Sequence, residues 1–135
     1  MIVSREKAEL KSPADVAEHL RKILKKEDIL SRDREHFWVI TLTTGNKVKF
    51  VELVSLGTLN CSLVHPREVF RRAITFGACS IIVGHNHPSG SCKPSGEDVA
   101  LTKQLKEAGS IVGIEVLDHV VIGDKTFSFK EEGLI

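Results

Sequence analysis

At 135 residues, with 41% hydrophobic and 27% charged side chains, the chain has the length and composition of one globular domain with a core of ordinary size. It has no apolar run of membrane-spanning length and no charged-then-apolar leader, so the cytoplasm is the expected location. A net charge of +1 lacks the basic excess of a dedicated nucleic-acid binder. Two local basic clusters, Arg21-Lys22-Lys25-Lys26 and Arg67-Arg71-Arg72, read as solvated helix faces rather than phosphate tracks. Cys61, Cys79 and Cys92 are odd in number and far apart, with no C-x-x-C pair. That disfavours a zinc ribbon or redox dithiol and suits a reducing compartment. Cys79, in an apolar run, reads as a buried small hydrophobe.

Residues 1–11 are polar and predict a loose lead-in. Ser12-Pro13 predicts a helix start, and Val16, Leu20, Ile23 and Leu24 carry helical spacing to about Leu30. Ser31–Glu35 reads as a charged turn. Phe37–Leu42 and Val48–Ser55 predict a β-hairpin around Thr44-Gly45-Asn46, and Gly57-Thr58-Leu59-Asn60 breaks the second strand. Pro66 opens a second helix to about Phe76, with Val69, Phe70, Ala73 and Ile74 inward, Arg67, Arg71 and Arg72 outward, and Gly77 closing it.

Cys79–Gly84 is short and β-branched, which predicts a central strand buried on both faces. His85–Pro94 reads as a loop at its end, where α/β proteins place their sites. Ser95-x-x-Asp98 opens a third helix, with Val99, Leu101, Leu105 and Ala108 at its spacing and Gly109 closing it. Ile111–Ile122 and Thr126–Phe129 read as the last strands, joined at Gly123-Asp124. The order predicts a mixed α/β sheet with helices on its faces. It is one domain overall: residues 1–35 are a lead-in and helix, and residues 36–135 carry the site.

His85 and His87, separated by one residue, lie on the same side of an extended backbone, so their imidazoles can reach one ion. Asp98, in the first turn of the next helix, can point back towards the strand end. Two imidazoles and a carboxylate suit a divalent metal, zinc above all, with a fourth position left for water. Such an ion lowers the pKa of its water and supplies hydroxide near neutral pH. Each part also has an ordinary reading: paired surface histidines, and a helix cap at Ser95-x-x-Asp98.

The pattern His85-x-His87-x7-Ser95-x2-Asp98 resembles the JAMM motif of the MPN+ metalloproteases. Gly57-Thr58-Leu59-Asn60, His65-Pro66-Arg67-Glu68-Val69-Phe70, His85-Asn86-His87-Pro88-Ser89-Gly90 and Leu117-Asp118-His119 resemble the C-terminal domain of the RadC proteins, named as DNA-repair proteins. The likeness runs from about residue 36 to the C-terminus. It implies a three-layer fold related to cytidine deaminases and one zinc ion held by His85, His87 and Asp98. It implies that Ser95 hydrogen-bonds the water or an oxyanion, and that an upstream glutamate is the general base. It also implies that this chain is part of a longer protein, since RadC proteins look to carry an N-terminal helix-hairpin-helix region.

Glu52 is the expected base, because alternation places it between Phe50 and Val54 on one strand face, where a carboxylate is costly unless used or paired. Glu68 and Glu97 are rivals with structural reasons of their own at helix starts. Asn86 is expected to turn away from the metal into a structural bond, and His65 and His119 to serve packing or hydrogen bonding. Cys92, inside the motif, reads as a loop residue close enough to reach an open metal position.

The implied chemistry is hydrolysis of an amide or isopeptide bond in a peptide or protein. A DNA-directed nuclease or repair protein is the first alternative, although the adjacent letters His-Asn-His are not the dispersed pattern of HNH nucleases and the charge argues against strong phosphate binding. A zinc deaminase would need H-x-E followed by P-C-x-x-C, which the chain lacks. A non-enzymatic interaction domain stabilised by metal is the remaining alternative. Metal binding, the effect of Glu52→Gln and DNA cleavage discriminate them.

Overall fold

Ser12 accepts the Asp15 N–H and Pro13 takes the first helical position, so the first helix, α1 (Pro13–Lys25), starts where its end groups are satisfied. This computed structural model describes residues 1–57 and 64–135. The helical pattern does not run unbroken to Leu30. Asp28 accepts the Ser31 N–H and restarts the chain as a single turn, α2 (Ile29–Arg32).

The first residues correct the expected loose lead-in. Ile2–Ser4 form β1, an edge strand antiparallel to β3 (Val48–Gly57). β3 pairs in turn with β2 (Glu35–Leu42), and β2 with β4 (Ser80–Asn86), all antiparallel. β4 pairs in parallel with β5 (Glu115–Ile122), and β5 in antiparallel fashion with β6 (Thr126–Ser128). The sheet order is therefore β1-β3-β2-β4-β5-β6, a six-stranded mixed sheet. No helix among the described residues is long and apolar enough to cross a membrane.

Strand alternation gives the sheet two apolar faces, and helices cover both. Trp38, Ile40, Leu42, Ile82 and Val120 pack against Val16, Ala17, Leu20 and Ile23 of α1. Phe37, Val39, Ile81, Val83 and Val116 pack against α3 (Pro66–Thr75) and α4 (Gly96–Val112) through Val69, Phe70, Ala73, Leu101 and Leu105. The result is three layers, as expected.

Several local expectations need correction. Ile74 is 56% exposed, so only Val69, Phe70 and Ala73 of its helix are buried. Arg72 turns to Glu52 instead of water, while Arg71 is exposed as expected and lies 3.8 Å from the same carboxylate. Cys79 precedes β4 and is exposed. α4 passes Gly109 and ends at Gly113, whose left-handed φ of 75° suits glycine. Gly109 is small for packing, because a Cβ there would meet the Ile114 carbonyl and Phe70. Ile111 and Val112 therefore belong to the exposed end of a helix, and Val99 is exposed as well. Thr58, Leu59, Asn60 and Cys61 lie outside the described residues.

Candidate metal centre

β4 reaches Asn86, one turn of pleat further than the sequence suggests, so His85 is a strand residue. It faces α4, like Val83 two residues before it, and stacks on Phe37 with ring centroids 6.2 Å apart. His87 keeps the strand's direction because its N–H donates to the Ile122 carbonyl at 2.9 Å. Asp98 arrives from the first turn of α4 in a reciprocal cap. The Ser95 N–H donates to Asp98 Oδ2 at 2.8 Å, and the Asp98 N–H donates to Ser95 Oγ at 3.1 Å.

The three side chains converge. His85 Nε2 and His87 Nε2 are 2.9 Å apart, and each is 3.4 Å from Asp98 Oδ2. Among the described residues they form the group of His, Cys, Asp or Glu able to hold a metal ion. His85 and Asp98 are buried, while the side chain of His87 is 16% exposed and opens the centre to solvent.

The surrounding bonds show what these atoms present. His87 Nδ1 lies 2.8 Å from the Ser91 carbonyl, which only accepts, so Nδ1 carries the proton and Nε2 offers a lone pair inward. His85 Nδ1 is occupied by His119 Nε2 at 2.7 Å. Burial alone would push the Asp98 carboxyl up. The neighbouring His85 ring and the bonds to Ser95 outweigh it and hold the carboxyl well below the usual carboxylate range. Lone pairs and negative charge pointing at one another call for a cation between them, and this donor set fits a divalent metal with an open position.

Glu52, the expected base, does not join this group. Glu52 is buried, and Arg72 Nε donates to its Oε2 at 2.6 Å. It pairs across Val39 with Val83, two strands over and two residues before His85, about 12 Å from it by sheet spacings. A carboxylate so placed is explained as half of an ion pair. Glu35 opens β2, and that strand pairs Phe37 with His85. Antiparallel continuation carries Glu35 opposite His87, and both line a cleft of about 690 Å³ with Ser89, Ser91 and Lys93.

Asn86 turns away from His85 and His87, as expected, into two bonds that straddle Glu35. Its Oδ1 accepts the His36 N–H at 2.6 Å, and its Nδ2 donates to the Arg34 carbonyl at 3.0 Å. Ser95 is exposed, and its oxygen serves the helix cap. Glu68 pairs with Arg71 at 3.8 Å, and Glu97 is exposed at the start of α4. Cys92 is half-buried in the loop and outside the ligand group. His65 flanks α3 as its N-cap residue and makes no side-chain capping bond. The sequence reading singled out neither Glu35, which it placed in a turn and which lines the cleft, nor Thr102, which bonds His119.

A profile described as a RadC-like JAB domain matches residues 10–134. Among curated proteins, one named "UPF0758 protein" from Desulforamulus reducens is 56% identical over 110 residues, covering 81% of this chain and 48% of its own length. One of the same name from Rubrobacter xylanophilus is 51% identical over 126 residues, covering 93% of this chain and 53% of its own. The chain thus spans about half the length of the curated relatives it matches.

Proposed function

The chain belongs to the family of RadC-like JAB domains, and on that footing we propose that it is a zinc-dependent hydrolase of amide or isopeptide bonds in a peptide or protein. The observation that carries this reading is the convergence of His85 Nε2, His87 Nε2 and Asp98 Oδ2 at the wall of an open cleft that also holds a carboxylate, Glu35.

A zinc ion held by these three residues supplies Lewis acidity and lowers the pKa of a water molecule. In this reading Glu35 takes the proton from the attacking water and returns it to the leaving amine. The Nε2 atoms of the two imidazoles and the Asp98 carboxylate are the atoms that would hold the ion. In this reading the Ser95 hydroxyl, at the cap of α4, donates to a developing oxyanion. Assignment of the base to Glu35 replaces the expectation for Glu52, whose carboxylate is neutralised by Arg72.

The test is turnover of peptide and isopeptide substrates by the zinc-loaded chain. Glu35→Gln should lower turnover by about 10²- to 10⁴-fold with zinc retained, and Glu52→Gln should leave turnover near wild type. Loss in Glu52→Gln alone would return the base to Glu52. Cleavage of DNA that depends on His85 and His87 would replace the peptidase reading by the nuclease one.

A further inference from the structure

The two buried ligands are joined behind the centre by a closed chain of hydrogen bonds. Thr102 Oγ1 lies 2.8 Å from the Asp98 carbonyl and 2.6 Å from His119 Nδ1. His119 Nε2 then lies 2.7 Å from His85 Nδ1. Thr102 and His119 are buried, with His119 stacked on Phe129 at 4.7 Å. In its neutral form the His119 imidazole has one ring proton to place between its two nitrogens.

The proton positions follow by elimination. The Asp98 carbonyl only accepts, so a 2.8 Å contact with a hydroxyl oxygen needs the hydroxyl's own proton. Thr102 has then spent its donor, and its contact with His119 requires His119 Nδ1 to carry the proton. His119 Nε2 is left as a lone pair, so His85 Nδ1 must donate to it. That leaves His85 Nε2 unprotonated, facing the centre. The reverse order would place the Thr102 oxygen against the Asp98 carbonyl with no proton between them, and would put a proton on the nitrogen that should ligate.

We propose that Thr102 is a positioning residue that sets the tautomer of the ligand His85 through His119, two hydrogen bonds away. Partners of this kind commonly orient a ligand's ring and raise its basicity. Here the fixing point is a threonine hydroxyl anchored to the backbone of another ligand, Asp98. The same residue therefore ties the ring of His85 to the helix turn that presents Asp98.

Only the consequence for affinity rests on the metal-site reading, because the tautomers can be read without metal. The experiment is long-range proton–nitrogen NMR of the metal-free 135-residue chain, above the histidine titration range, together with zinc titration against a competing chelator. The wild type should show protonated Nδ1 on both His85 and His119. Thr102→Val removes the hydroxyl at nearly constant shape; both rings should switch to protonated Nε2, and zinc affinity should fall about 10- to 100-fold. Thr102→Ser should restore both signals and the affinity. The relay is overturned if the wild type carries the proton on His85 Nε2. It is equally overturned if Thr102→Val leaves His85 unchanged, whether or not zinc binding falls. Where Thr102→Val does not fold, Thr102→Ala is read in its place: both rings should switch to protonated Nε2, and an unchanged His85 overturns the relay.

Discussion

Asn86 stands between His85 and His87 and turns the opposite way, into bonds with the backbone on both sides of Glu35. Asn86→Ala removes a donor and an acceptor from a buried site, at about 1–3 kcal/mol for each group left unsatisfied. It should also release Glu35 from its register opposite His87, so turnover should fall more steeply than zinc affinity, as comparison of kcat with a chelator titration would show. At Glu52 the expectation is reversed. Glu52→Gln strips Arg72 of its partner and should lower unfolding free energy by about 1–3 kcal/mol in urea while leaving zinc binding unchanged. The contrast shows what was legible at this scale. His85, His87 and Asp98 lie within fourteen residues, so strand alternation and a helix cap suffice to bring them together. The choice between Glu35 and Glu52 depends on which strand pairs with β4, which local pattern does not carry.

At the scale of elements, one irregularity brings His119 to the site. Val116 packs on the α4 side of the sheet, and alternation alone would send His119 to the other side. The register between β4 and β5 shifts where Ile81 faces Val116 and Ile82 faces Asp118, so Leu117 is an extra residue and His119 falls beside Val83. No turn or glycine signal marks this bulge, which is why the sequence offered only packing or hydrogen bonding for His119. The turn after β5 matters in the same way. A Cβ on Gly123 would meet the backbone of Gly90, whose carbonyl accepts the Asp124 N–H at 2.7 Å. Gly123→Ala should therefore cost about 1–3 kcal/mol and weaken zinc binding by displacing the loop that carries His87, readable in thermal melts and the chelator titration.

The α1 layer carries a pH prediction. His19 is buried, its Nε2 finds no hydrogen-bond partner among the described residues, and burial lowers its pKa below 6.5. Above about pH 6.5 neither the folded nor the unfolded chain protonates this ring, and its contribution is constant. As pH falls below 6.5 the unfolded chain gains a proton that the folded chain resists, so stability drops by up to about 1.4 kcal/mol per unit until the folded pKa is reached. Urea melts from pH 7.5 to 5 should show this slope, and His19→Leu should reduce it.

For the whole molecule, the three-layer arrangement was legible because helical and strand periods alternate cleanly along the chain, and each face of the sheet meets a helix. The edge strand β1 was not, because three residues are too short for a period and their pairing with β3 is long-range. The proposed ion would pin β4 to α4, joining the strand that ends at Asn86 to the helix that begins at Gly96. Because zinc would bind the folded chain, saturation at 100 times Kd should add about 2.7 kcal/mol to stability, raise Tm and be reversed by chelator. The most direct measurement is the zinc stoichiometry and affinity of the purified 135-residue chain by competition titration. One equivalent per chain, abolished in His87→Ala and Asp98→Asn variants that still fold, is the predicted result; no binding at millimolar zinc would contradict the account.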